Sequence, residues 1–167
     1  TLAKILQVRN PDGVETQALN ALSGESTKPD IIFVAVIDQG GMGLHTTHAD
    51  AAPNIQKLFR ESAFFTNAYV GHLDAHTAVG HMAIGTGAYP RKSHVIGNTF
   101  FSMEKSRGKE RLAKSEIYAT KDESKVSPDE LRSESLADVV NQAYSGNSVV
   151  LSQCYALRAS IGMGGHG

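Results

Sequence analysis

The sequence predicts an α/β fold with a mostly parallel central sheet and helices on both faces, and three observations carry that prediction. Residues Ile31 to Ile37 form a continuous apolar, β-branched run that ends in Asp38. A continuous run, unlike an alternating one, suits a strand buried on both faces. Pro53 then stands where a helix would open, with Ile55, Leu58 and Phe59 on one face. Further apolar runs at 64–70 and from Val149 to Cys154 complete the order strand, helix, strand, helix, long helix, strand.

Each element has its own signal. Residues 1–28 offer a short apolar run (Leu2, Ile5, Leu6, Val8), a turn at Asn10-Pro11-Asp12-Gly13 and a weakly helical piece reaching Leu22. Thr77 to Ile84 is rich in small residues and reads as a helix opened by Thr77 and broken by Gly85-Thr86-Gly87 and Pro90. Residues 102–126 crowd charges together and read as an exposed surface excursion. Ser127-Pro128-Asp129-Glu130 has a serine cap, proline first and glutamate third. That capping signature predicts a helix facing inward through Leu131, Leu136, Val139, Val140 and Ala143, ending near Ser145-Gly146-Asn147. The glycine-rich stretch 161–167 is expected to be an open loop with no closing element, as in the N-terminal portion of a larger fold.

The 167 residues fit one domain with a sizeable core. Sixteen Lys+Arg against seventeen Asp+Glu give a formal charge of -1, so no global basic field attracts nucleic acid or an anionic membrane. Phosphate recognition must therefore be local. No apolar stretch approaches the roughly 20 residues of a membrane span. The single Cys154 excludes an internal disulfide or a multi-cysteine metal site, and its apolar run predicts a buried, inert thiol.

Five residues stand out chemically. Asp38, at the carboxyl end of an expected strand, occupies the place where α/β sheets build their sites and is a hard oxygen donor for a metal ion; the alternative is a loop acid or helix cap. Thr77 at a helix start is either an N-cap or a hydroxyl nucleophile in the positive field of the helix end. His81, four residues on, shares its face, as a helper or as a hydrogen-bonded core histidine. Asn98 is an anion-binding amide or an Asx turn. Arg158 is a phosphoryl clamp or a surface ion-pair partner. The seven histidines form no compact ligand motif, and most read as ordinary loop residues.

Taken in order, these words resemble the alkaline phosphatase superfamily, most closely its nucleotide pyrophosphatase/phosphodiesterase branch and the related threonine-nucleophile phosphatases. They are Ile31–Gln39, Pro53–Leu58, Phe64–Tyr69, Thr77-Ala78-Val79-Gly80-His81, Thr86–Pro90 with His94, Gly97-Asn98, and Leu157–Ser160 running towards Gly165-His166. The resemblance implies an alkaline-phosphatase-like fold, of which this chain is an incomplete, N-terminal part. It implies that Asp38 and Thr77 ligate one of two zinc ions, that Thr77 forms a phospho-threonine intermediate, and that Asn98 and Arg158 contact the phosphoryl group. The substrate implied is a phosphate ester or nucleotide-like small molecule, and a periplasmic or extracellular setting is favoured.

Two departures sharpen this expectation. Threonine-nucleophile monoesterases carry lysine two residues before that arginine, whereas this chain has Ala156, which shifts the expectation towards diesters. The family's other zinc ligands, aspartates and histidines, have no counterpart here, so two zincs require a missing C-terminal part and the isolated chain is expected to be inactive. One rival reading is a non-catalytic α/β module that binds an anion or a partner chain. Another is a nucleotide-binding domain using Gly40–Gly43.

Overall fold

The computed structural model describes residues 1–15, 17–19, 28–106, 109–116 and 127–166. The chain forms two compact units, one of residues 1–30 with 71–167 and one of residues 31–70.

The first unit is built on a helix pair. Helix α1 spans Leu2–Leu6, α4 Thr77–Thr86, α5 Pro90–Ser93, α6 Leu136–Ala143 and α7 Leu157–Gly164. Ala78, Met82, Val95, Phe100 and Leu131 form its core, with Ile161 of α7 against them. Burying a side chain the size of Met82 contributes about 1.5–3 kcal/mol. Glycine sets the distance between α4 and α7. A Cβ on Gly85 would lie 2.1 Å from the Gly162 carbonyl oxygen, and one on Gly162 would lie 3.0 Å from Met82 Cε. Glycine inside a helix costs about 1 kcal/mol relative to alanine, which the close approach of two apolar faces offsets. The expectation of an open loop at 161–167 is corrected accordingly: Leu157–Gly164 is helical, and its glycines serve helix contact.

Helix α4 starts where Thr77 predicts and runs two residues past Ile84, to a C-cap at Gly87 with φ 68°. Helix α6 begins eight residues later than expected. Ser135 and Asp138 form its capping box, whereas Ser127 Oγ only closes a short turn by accepting the Asp129 N–H at 3.2 Å. Val139 is buried, Leu136 and Val140 are half-buried, Ala143 is exposed, and Leu131 reaches the core from outside the helix. Arg9 ties the N-terminal segment to the approach of α6, its Nη1 and Nη2 donating to Glu134 at 2.7 and 2.6 Å. That bidentate pair holds the Glu134 carboxyl down at about 2. The helical piece expected before Leu22 has no regular structure at residues 14–15 and 17–19, and its remainder lies outside the described residues.

Strands are where structure and expectation part. Among the described residues the ladder is one antiparallel hairpin, β1 (Thr99–Ser106) with β2 (Lys109–Glu116), Thr99 opposite Glu116 and Ser106 opposite Lys109. It occupies the start of the expected charged excursion; residues 117–126 lie outside the described residues. The runs 31–37, 64–70 and 149–154 are not strands, and the parallel sheet is absent among the described residues. A strand exists only through hydrogen bonds to a neighbour, so an apolar run lacking one stays irregular and bare. Ile31 is 84% exposed and Val149 94%. Cys154 shares this fate: the thiol is exposed, contrary to expectation, and donates to the Ala156 carbonyl at 2.6 Å.

In the second unit, α2 (Met42–Thr47) and α3 (Pro53–Glu61) flank a 3-10 turn at Ala49–Ala51. Pro53 sits in the first turn of α3 as predicted. Phe59 stacks edge-on against His45 at 5.7 Å and lies 4.9 Å from Phe64, while Leu58 points to solvent. No helix among the described residues is long and apolar enough to cross a membrane.

Candidate phosphoryl-binding site

The amino end of α4 brings Thr77 and Asn98 together. His76 is the N-cap and Thr77 the first helical residue, so the positive end of the helix lies at Thr77. Asn98, twenty residues on, returns to this point, and its Oδ1 accepts the Ala78 N–H at 2.9 Å. That bond fixes the amide orientation, because only oxygen can accept from a backbone N–H, and it leaves the NH2 group as a donor beside the helix end. Gly97 permits this approach: a Cβ there would lie 3.1 Å from the Thr99 carbonyl and 3.4 Å from Asp74 Oδ2. A cleft of about 520 Å3 opens in front, lined by Asp74, His76, Asn98 and Phe101 among others.

His81 is a local brace, its Nδ1 donating to the Thr77 carbonyl at 2.8 Å. Arg158 is on α7, the partner of α4. Its Nε is buried without a hydrogen-bond partner among the described residues, a donor in want of an acceptor. Asp38 belongs to the other unit. It and Gln39 are the central residues of a turn closed by Gly40 N–H to the Ile37 carbonyl at 3.0 Å, Gln39 having φ 59°. Thr77 and Asn98 are thus brought together, Arg158 lies on the helix packed against theirs, and Asp38 stands in its own unit.

Two further residues line the cleft, and the sequence reading passed over them. Asp74 Oδ1 accepts the backbone N–H of His76 at 2.9 Å and its ring Nδ1 at 2.6 Å. Hydrogen bonds from the His76 side chain and backbone hold the Asp74 carboxyl below its usual range. An aspartate two residues before a helix cap is the available signal, since its side chain can close an Asx turn there.

The comparison with known proteins follows these residues. The family model of type I phosphodiesterase / nucleotide pyrophosphatase matches residues 33–152, most of the chain. The chain belongs to that family. This type I phosphodiesterase relative is also similar to the alkaline phosphatase PhoK of Sphingomonas sp, at 28% identity over 150 residues, 87% of this chain and 27% of that protein. It therefore spans only about a quarter of the curated relative's length. No solved structure matches. Family membership supports an alkaline-phosphatase-like fold.

A metal centre is a separate matter. Among the described residues, no group of three or more His, Cys, Asp or Glu side chains is arranged to hold a metal ion. A catalytic zinc takes about three protein ligands, so the donors described in this phosphodiesterase-family chain do not fit a complete zinc site.

Proposed function

We propose that this chain is the nucleophile-bearing, N-terminal part of a metal-dependent phosphohydrolase acting on phosphate esters, with phosphodiesters preferred, through a phospho-threonine intermediate. The observation that carries the proposal is the Asn98–Ala78 hydrogen bond, which sets an amide donor beside the helix end bearing Thr77. The family match supports the reaction class.

In this reading the phosphoryl group settles at the α4 N-terminus, where the positive helix end and the Asn98 NH2 stabilise the charge on its non-bridging oxygens. The Arg158 guanidinium supplies the second contact and satisfies its buried Nε. Thr77 Oγ attacks phosphorus and the ester P–O bond breaks, the proton of the threonine hydroxyl ending on the departing alcohol. Water then cleaves the Thr77–phosphorus ester, releasing a phosphomonoester from a diester and restoring the hydroxyl. Zinc, which the resemblance implies, would be held by Asp38 and Thr77 with donors from outside these 167 residues and would polarise the attacking and leaving oxygens. Ala156, two residues before Arg158, provides no cation for the extra charge of a monoester, which supports the diester preference.

The test is hydrolysis of a nitrophenyl phosphodiester by the complete catalytic domain. Thr77→Ala is expected to lower kcat by about a thousandfold or more while the protein stays folded, as removal of a covalent nucleophile does. Undiminished turnover in that variant eliminates the assigned nucleophile. A second reading, a non-catalytic anion-binding module, is favoured by the lack of a complete metal-ligand set among the described residues. It predicts phosphate binding with no turnover even when the complete domain is assayed with zinc.

A further inference from the structure

The first unit holds a second polar concavity that phosphoryl transfer leaves unused. It has a volume of about 320 Å3 and is lined by Arg91, His94, Glu130 and Arg132, with Ile96 and Phe101 among its apolar residues. Two of these side chains stand on fixed backbone. His94 is exposed, but its neighbours Ser93 and Val95 are only 1% and 0% exposed. Arg132 repeats the pattern between Leu131 and Ser133. The Arg132 N–H donates to the Ser93 carbonyl at 3.2 Å, which ties the two pedestals directly to each other. His166 Nε2 in turn meets the Leu131 carbonyl at 3.0 Å.

His94 caps α5 in the left-handed region with φ 64°, a position that glycine adopts with less strain. Residues held in such a conformation cluster at ligand sites, where the surrounding structure imposes it. Among the described residues, neither the His94 imidazole nor the Arg132 guanidinium has a hydrogen-bond or ion-pair partner. Both are fixed at the root and unengaged at the tip. Arg91 is held differently: the buried Glu15 carboxylate accepts its Nε–H at 2.6 Å and also pairs with its Nη2, leaving Nη1 outside that pair. Three positioned donors therefore meet at one pocket beside an apolar wall, which strengthens their pull on an anion. Guanidinium forks match the oxygens of a tetrahedral oxyanion, which accepts several N–H bonds at once. Glu130 lines the same pocket and opposes an anion, so its removal has a predictable sign.

We propose that Arg132 and His94, with Arg91 held by Glu15, form a second oxyanion site whose ligand is a phosphate or sulfate group, free or borne on a small organic molecule. The pocket shares Ile96, Phe100 and Phe101 with the cleft before Asn98 and none of that cleft's polar residues. The site is independent of the proposed function and stands even if Thr77 is not a nucleophile.

The test is an NMR titration of the isotopically labelled 167-residue chain with inorganic phosphate, the ionic strength being held constant with sodium chloride. The His94 ring and the Arg91 and Arg132 side-chain N–H signals are expected to shift along one saturable curve. Arg132→Gln should weaken that binding about tenfold and leave any response of the Ala78 amide as it was. His94→Gly relieves the left-handed backbone, so phosphate binding should weaken while the urea midpoint holds or rises, which guards against a folding defect. Glu130→Gln should tighten binding by up to about fivefold. Methyl phosphate separates the two sources of the oxyanion: affinity close to that of inorganic phosphate supports a group carried on an organic molecule, and exclusion of the ester supports the free ion. Shifts that do not saturate, or weaker binding in Glu130→Gln, overturn the site. Unchanged affinity in Arg132→Gln or in His94→Gly overturns the role of that residue.

Discussion

Helix α4 and the run 31–37 are both strongly apolar, yet one is sealed and the other bare. Ala78, Val79 and Met82 have at most 1% of their surface exposed, whereas Phe33 has 89%. The difference is a partner. Helix α4 satisfies its own backbone and meets α7 across Gly85 and Gly162, while no strand among the described residues pairs with 31–37. A helix carries its hydrogen bonds with it, and a parallel strand borrows them.

The largest effect that sharpens this contrast comes from the glycine seam. Gly85→Val drives a side chain into the Gly162 carbonyl and is expected to cost about 1–3 kcal/mol or more, read as a lower urea midpoint. Gly80→Ala in the same helix meets nothing within 4 Å and should instead stabilise by up to about 1 kcal/mol. A gain in both variants would show that helix propensity, and not contact, governs α4. Ser135→Ala removes the hydroxyl that accepts the Asp138 N–H and should cost about 1 kcal/mol, again by denaturant midpoint.

A smaller effect lies in the pH dependence of the clamp at His166. Its Nδ1 faces Asp138 Oδ2 and its Nε2 faces the Leu131 carbonyl, both at 3.0 Å. Burial opposes the charge on His166, but Asp138 and Leu131 outweigh it and raise the imidazole above its ordinary 6.5. Burial opposes the charge on Asp138 as well, yet hydrogen bonds from Ser135 and His166 leave it below its ordinary 3.8. The carboxylate's contribution is present above that ordinary value and lost as pH falls through the lowered one. The imidazolium's is complete below 6.5 and lost as pH rises through the raised value. The Tm difference between native protein and His166→Leu should therefore peak at about pH 5 and shrink by about pH 8.5. Partial exposure of His166 screens the effect to under about 1 kcal/mol. The smallest change is Phe33→Ser, within about 0.5 kcal/mol in this chain because the ring is already solvated. In the complete domain the same substitution should cost several kcal/mol if the run is a buried strand there.

Helix α3 and the start of α4 were legible because Pro53 and the residues around Thr77 act on their own turn of chain. Helix α6 was misplaced because two serine-led segments carry capping chemistry. Ser127 uses its hydroxyl to close a turn, and Ser135 uses its own to open a helix. Helix α7 was missed since its glycines weaken any local helical signal and are repaid only by contact with α4. The strands failed for the opposite reason, a strong local pattern without neighbours. At the site, Thr77 and Asn98 were legible through the ordered motifs that resemble the phosphodiesterase family. Asp74 and His76 were not, since an aspartate and a histidine two apart are unremarkable until a turn brings carboxylate to ring.

The glycine seam has a consequence for how this protein can change. Thr77 rides on α4 and Arg158 on α7, so the seam works as a ruler whose length is one backbone laid on another. A methyl group added at Gly85 would re-space the two helices and thereby re-aim an arginine without touching it. Variation in this family should therefore be freer in the chemistry displayed at the helix ends than in the two positions, devoid of side chains, that keep those ends in register.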